Sequence, residues 1–154
     1  MNRATRAAIL FIAQGAYAGR FPVAPGTAGT IVGVVLYLGI KNLPPGYYLA
    51  VCVLVILVGM RVAGLAESIL GRKDSPSIVV DEIAGFLIAM FTVPSGWSFI
   101  VSGFLLFRMF DIMKPWPLRR LEELHGGLGV MLDDVGAGVY TNIVLQLAAY
   151  LISR

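Results

Sequence analysis

Apolar residues fall in six runs along this chain, at about residues 5–18, 29–40, 47–66, 83–93, 97–110 and 136–152. Of these, only 47–66, about twenty residues and roughly 30 Å long as a helix, crosses a bilayer's hydrocarbon core unaided. The turn signals "NLPPG" at 42–46 and "VPSG" at 93–96 separate the runs. The run 5–18 carries Gln14 and small residues, a pattern that suits an interfacial or re-entrant segment better than a crossing one. The spacing therefore predicts an all-α, membrane-embedded helical bundle with short and re-entrant or interfacial helices, a single domain over 1–154.

Composition strengthens this picture. The chain is 58% hydrophobic and 14% charged, with a mean hydropathy of +0.83, against about 25% charged for soluble domains. Its net charge of +3 sits in connecting segments, which favours anionic lipid over nucleic acid as partner. Cys52 lies in the middle of "LAVCVLVILVG" with no second cysteine to pair with, and reads as a small buried hydrophobe. The first residues place positive charge before an apolar run, as a signal peptide does. That run continues into "RFPVAPGTAGT", so it reads as retained.

Charge also orients the chain. With 29–40 and 47–66 as one hairpin, 83–93 and 97–110 as a second, and 136–152 crossing last, the positive-inside rule puts the N-terminus in the cytoplasm. Arg3, Arg6, Arg20, Arg61, Arg72, Lys73, Arg108, Lys114, Arg119 and Arg120 then lie at the cytoplasmic face, and only Lys41 and Arg154 at the other. All the acidic residues gather on that same face, although acids contribute little to topology. A single helix over 83–110, kinked at Pro94, would instead separate Asp81 and Glu82 from Asp111 by a membrane thickness.

Four polar stretches meet at this face. In "APGTAGT" (24–30), Thr27 and Thr30 stand before an apolar helix, as ordinary caps or as hydroxyls offered with backbone N–H groups to a phosphate. In "SIVVDEIAG" (77–85), Asp81 and Glu82 open the next helix; the helix dipole accounts for one acid but not easily for two. In "FRMFDIMKPWP" (107–117), Arg108, Asp111 and Lys114 follow at helical spacing before two prolines stop the helix. In "HGGLGVMLDDVGAG" (125–138), a glycine-rich loop leads to Asp133 and Asp134 at the start of the last helix. Asp74 is either a further ligand or a loop residue, and His125, the single histidine, reads as structural.

Carboxylates crowded this closely raise one another's pKa, and a divalent cation removes the conflict. Hard oxygen donors suit Mg²⁺. Arg108 and Lys114 are left for an anionic substrate, and a phospholipid headgroup fits both them and a lipid-facing cleft. Other routes to phosphate-ester hydrolysis lack their residues: no Cys precedes an Arg in a loop, no second His exists, and neither Asp-x-Asp nor "GxxxxGK" occurs. Metal-assisted hydrolysis remains. Two alternatives stand beside it: an ion or solute carrier with an acidic cytoplasmic site, and a phospholipid-forming phosphotransferase, whose four-aspartate signature is missing.

"PGTAGT", "SIVVDEIAGF", "FRMFDIMKPWPLRRLE" and "GGLGVMLDDVGAGVY" resemble, in order, the four signature stretches of the bacterial phosphatidylglycerophosphatase A family. The resemblance implies a Mg²⁺-dependent, multi-pass inner-membrane enzyme that hydrolyses phosphatidylglycerophosphate to phosphatidylglycerol and phosphate. By position it carries over Asp81, Glu82, Arg108, Asp111, Lys114, Asp133 and Asp134, and less surely Thr27 and Thr30. The resulting expectation is that Asp81, Glu82, Asp133 and Asp134 hold the metal and one of them activates water. Arg108 and Lys114 then bind phosphate, while Asp111 joins the metal or orients Arg108.

Overall fold

The computed structural model describes every residue except Asp74, Glu123 and His125, together with the side chain of Glu122. The readings at Asp74 and His125 thus lie outside the described residues. Among those described, the only regular structure is helix: α1 (Arg3–Ala13), α2 (Pro25–Ile40), α3 (Pro45–Leu70), α4 (Val80–Ala89), α5 (Trp97–Met113), α6 (Leu118–Glu122) and α7 (Gly127–Ile152), with a short 3₁₀ turn at Ala18–Arg20. Two helices, α3 and α7, are long and apolar enough to cross a membrane. Leu54, Leu57, Leu105, Ile143 and Leu147 stand exposed along α3, α5 and α7. That outward apolar face suits a helical membrane protein, since lipid can cover it where water cannot.

The hairpin expectation holds: α4 and α5 are separate helices, not one kinked rod. Their turn at 90–94 and the α2–α3 turn share a cavity lined by Tyr37, Lys41, Pro45, Met90 and Val93, so both hairpins close at the same end. Two boundaries differ from the hydrophobic runs. α2 begins at Pro25, four residues before the apolar run, because proline is preorganised for the first helical position and needs no N–H partner there. The glycine-rich stretch expected as a loop is helical from Gly127, so Asp133 and Asp134 lie well inside α7. Tertiary packing overrides low helix propensity here: a methyl on Gly127 would lie 1.9 Å from the Met60 carbonyl oxygen, so only glycine lets α7 lie this close to α3.

α1 and α4 have 11 and 10 residues, about 15 Å each, too short to span. The end of α4 therefore leaves carbonyls inside the bundle, and α7 satisfies them. Asn142 Nδ2 donates to the carbonyls of Ala89 (3.1 Å) and Phe91 (2.8 Å), and Gln146 Nε2 donates to Phe91 O (3.2 Å) and Thr92 Oγ1 (2.8 Å). Asn142→Leu strips two of these bonds, and a buried unpaired carbonyl costs about 1–3 kcal/mol. A clear drop in the detergent melting temperature is expected; an unchanged melt would show that these bonds do not hold α4. Between the two ends, Tyr37, Phe86 and Phe107 are fully buried and stack edge to face, and Cys52 is buried beside them, as expected of a small hydrophobe.

Candidate active site

At the end of the bundle opposite the hairpin turns, one cavity of about 390 Å³ is lined by Asp81, Glu82, Arg108, Asp111, Lys114, Asp133 and Asp134. Three helices and one helix cap supply them. Asp81 and Glu82 occupy the first turn of α4, where carboxylates favour the positive end of the helix dipole. Arg108 and Asp111 lie in the last turns of α5, and Asp133 and Asp134 in the second turn of α7. Lys114 does not continue α5. It caps the helix at φ +43°, and its ammonium meets Asp133 Oδ2 at 2.7 Å. The residue before a proline is barred from the ordinary helical region, so "KP" carried this signal.

The carboxylates divide into two sets. Asp81, Glu82 and Asp134 can each offer one oxygen such that all three lie within 4.8 Å of one another. Asp133 and Asp111 instead hold cations: Asp133 takes Lys114, and Asp111 Oδ2 lies 2.5 Å from Arg108 Nη1, which also approaches Glu82 Oε1 at 3.5 Å. Of the four carboxylates expected to hold a metal, Asp81, Glu82 and Asp134 form this cluster, while Asp133 pairs with Lys114. Asp111 sits where it orients Arg108.

Electrostatics make this cluster costly when empty. Two like charges at 4.8 Å repel by about 3.5 kcal/mol at an effective dielectric of about 20. Burial, reinforced by the Glu82 and Asp134 charges, pushes the Asp81 carboxyl well above its usual range. Glu82 is also raised by burial, against the pull of its bond to Asp81 and of Arg108. Among the described residues, Asp81 Oδ1, Glu82 Oε2 and Asp133 Oδ1 are buried acceptors with no hydrogen-bond partner, and Arg108 Nε is a buried donor with none. Orphaned acceptors beside an orphaned donor suit a pair of ligands, a cation and an anion.

The two threonines stand elsewhere. Thr30 is fully buried and its hydroxyl donates to Gly26 O at 2.9 Å, while Thr27 lies in the first turn of α2; neither lines the cavity. The backbone of the same motif lines it instead, through Ala24, Pro25 and Gly26. A methyl on Gly26 would come within 2.2 Å of Glu82 Oε1 and 2.9 Å of Arg108 Nη1, so the glycine makes room for the ion pair. Sequence reasoning missed two polar lining residues, Lys73 and Ser75 of the loop before α4, because a polar loop between helices carries no periodicity to single them out.

The family model for phosphatidylglycerophosphatase A matches residues 11–149. The chain belongs to the phosphatidylglycerophosphatase A family. Within it, proteins named phosphatidylglycerophosphatase A from Haemophilus influenzae and Escherichia coli K12 are 39% and 35% identical, over 92% and 90% of this chain and 89% and 82% of their own lengths. A Bacteroides thetaiotaomicron protein named "Putative phosphatidylinositol-3-phosphatase" is 37% identical over 93% of this chain and 94% of its own. No solved structure matches the chain. All four stretches on which the family resemblance rests lie inside the matched region, and each contributes backbone or side chain to the cavity.

Proposed function

We propose that this protein is a membrane phosphatase that hydrolyses the terminal phosphomonoester of phosphatidylglycerophosphate, releasing phosphatidylglycerol and inorganic phosphate. The observation that carries this reading is the juxtaposition in one cavity of three clustered carboxylates, those of Asp81 and Glu82 each with an orphaned oxygen, and a guanidinium with an unused donor. Asp81, Glu82 and Asp134 would hold Mg²⁺. Oxygens bound at about 2.1 Å lie up to about 4.2 Å apart, so small side-chain rotations close the set. When bound, the ion neutralises charge on the phosphoryl group in the transition state.

The remaining roles belong to this chain's own side chains. Arg108, steadied by Asp111, keeps Nε free to donate to a phosphate oxygen. Asp133, pinned through Oδ2 by Lys114, keeps Oδ1 to orient the attacking water. Water attacks phosphorus, the bond to the glycerol oxygen breaks, and a proton passes to that leaving oxygen. Lys114 balances the charge of Asp133 and adds positive potential for the incoming headgroup. The ten-to-two bias of basic residues supports a multi-pass arrangement in the inner membrane with this cavity at the cytoplasmic face.

The test is phosphate release from phosphatidylglycerophosphate in mixed micelles, with EDTA and after Mg²⁺ is restored. A loss of at least about 100-fold on chelation, recovered by Mg²⁺, is expected from the several kcal/mol such an ion supplies. Chelator-insensitive release would remove the metal from the reading. Phosphatidylinositol 3-phosphate belongs in the same assay, given the name of one relative. The carrier reading gains no support, since Tyr37, Phe86 and Phe107 fill the middle of the bundle.

A further inference from the structure

A chain of polar side chains runs from the protein surface to the cavity wall. Arg20 Nε donates to Gln14 Oε1 at 2.8 Å, and the Arg20 guanidinium lies 4.1 Å from the centre of the Tyr17 ring. Gln14 is buried, and its Nε2 donates to Ser77 Oγ at 3.2 Å. Ser77 Oγ lies 3.1 Å from Ser75 Oγ, and Ser75, itself buried, lines the cavity. The frame around this chain is rigid. Val79 N donates to Ala13 O and Ile78 N to Ser75 O, and a methyl on Gly19 would lie 2.2 Å from Ser77 O.

Proton bookkeeping sets the polarity at Gln14. A guanidinium has donors only, so the oxygen of Gln14 must face it and the amide nitrogen must face Ser77. Ser77 Oγ accepts that N–H, and either serine can donate across the Ser77–Ser75 contact; with Ser77 as the donor, its hydrogen points to Ser75 Oγ. Ser75, having accepted, keeps its hydrogen for the cavity. Each link also polarises the next, which strengthens the terminal donor.

We propose that Ser75 is a substrate-binding residue that donates its hydroxyl hydrogen to an oxygen of the phosphomonoester, and that Gln14 and Arg20 are positioning residues acting through Ser77. This rests on the phosphatase reading above and adds to it the residue that recognises the transferred phosphate from the loop before α4. Nothing in the chain requires the lipid part of the substrate, so inorganic phosphate, the reaction product, is a probe of the same contact.

The experiment measures KM and kcat on phosphatidylglycerophosphate, the Kd for inorganic phosphate by calorimetry in the presence of Mg²⁺, and the detergent melting temperature, for the full chain and four variants. Ser75→Ala is expected to raise KM and the phosphate Kd by about tenfold, with kcat within about twofold, the pattern of lost uniform binding. Ser75→Thr, which keeps the hydroxyl, stays within about threefold of the parent. Gln14→Glu still accepts from Arg20 but cannot donate. Ser77 must then turn its hydrogen to the new carboxylate, and Ser75 must donate to Ser77. This variant is expected to match Ser75→Ala in KM and Kd while melting no lower than the parent, and the double variant to be no worse than either.

Ser75→Ala with unchanged KM and Kd, or effects of the two substitutions that multiply, would overturn the proposal. So would a Gln14→Glu that melts as the parent does and keeps its KM. Two further outcomes separate the two readings. Phosphate bound about tenfold more weakly by Ser75→Ala, in a protein that releases none from either lipid, sinks the phosphatase reading and leaves the subsite standing. Brisk release with no change in Ser75→Ala does the reverse.

Discussion

Asp81→Asn is expected to lower phosphate release by about 10³-fold or more while the protein inserts and folds. The substitution keeps the shape of the side chain but removes one of three carboxylates that can share a cation. Losing several kcal/mol of charge stabilisation in the transition state corresponds to about that factor, at 1.36 kcal/mol per tenfold. The stability effect has the opposite sign. Asp81 loses a favourable helix-dipole interaction of about 0.3–1 kcal/mol, but burial and the Glu82 and Asp134 charges oppose its ionised form, and an amide of the same shape meets no such repulsion. Relief of repulsion wins. In EDTA the variant should therefore melt at or above the parent, and Mg²⁺ should raise the melting temperature of the parent but not of the variant, because only a bound ligand shifts the folding equilibrium. An Asp81→Asn protein that keeps full activity, or that gains as much from Mg²⁺ as its parent, would refute the assignment of Asp81 to the cation.

The gathering of the acids was legible in the sequence because topology makes it so. Once turns at "NLPPG" and "VPSG" fold two hairpins, Asp81, Glu82, Asp111, Asp133 and Asp134 must emerge at one end. How the gathered charges sort was not legible. Lys114 belongs to Asp133, and Arg108 bridges Glu82 and Asp111, and such pairings depend on where backbone dihedrals aim each side chain rather than on sequence spacing. At Lys114 and Ala24 the backbone turns into the left-handed region just before a proline, ending α5 and opening α2 where the hydrophobic pattern alone continues or begins late. The run "GGLGV" reads as loop because glycine disfavours helix by about 1 kcal/mol each. It is helix because close approach to α3 needs residues without side chains. Ser75 stayed hidden for a different reason: its role is set by Gln14, sixty-one residues away, through hydrogen bonds that no local pattern encodes.

Gly138→Ala is expected to reduce activity by about 100-fold and to lower the melting temperature. Its β-carbon would lie 2.2 Å from Gly85 O and 3.0 Å from Gly85 C, and both are backbone atoms, so no rotamer change makes room. The two helices must part by about 1 Å at their crossing, an overpacking that costs about 1–3 kcal/mol. That crossing sits one turn from the chemistry on each side: Gly85 follows Asp81 by four residues on α4, and Gly138 follows Asp134 by four on α7. Displacement at the glycines is therefore passed directly to the two carboxylates that must converge on one cation, and a misplacement of about 1 Å costs on the order of 10²-fold. The same substitution at Gly39, where an added methyl meets nothing within 4 Å, should do the opposite. It gains helix propensity of about 1 kcal/mol, so Gly39→Ala should melt slightly higher and keep full activity. If both variants behave like Gly39→Ala, the α4–α7 approach does not set the geometry of the carboxylates. If Gly138→Ala alone loses activity and stability, the small residues of "DDVGAG" and "DEIAG" are there to bring two acidic helices within reach of each other.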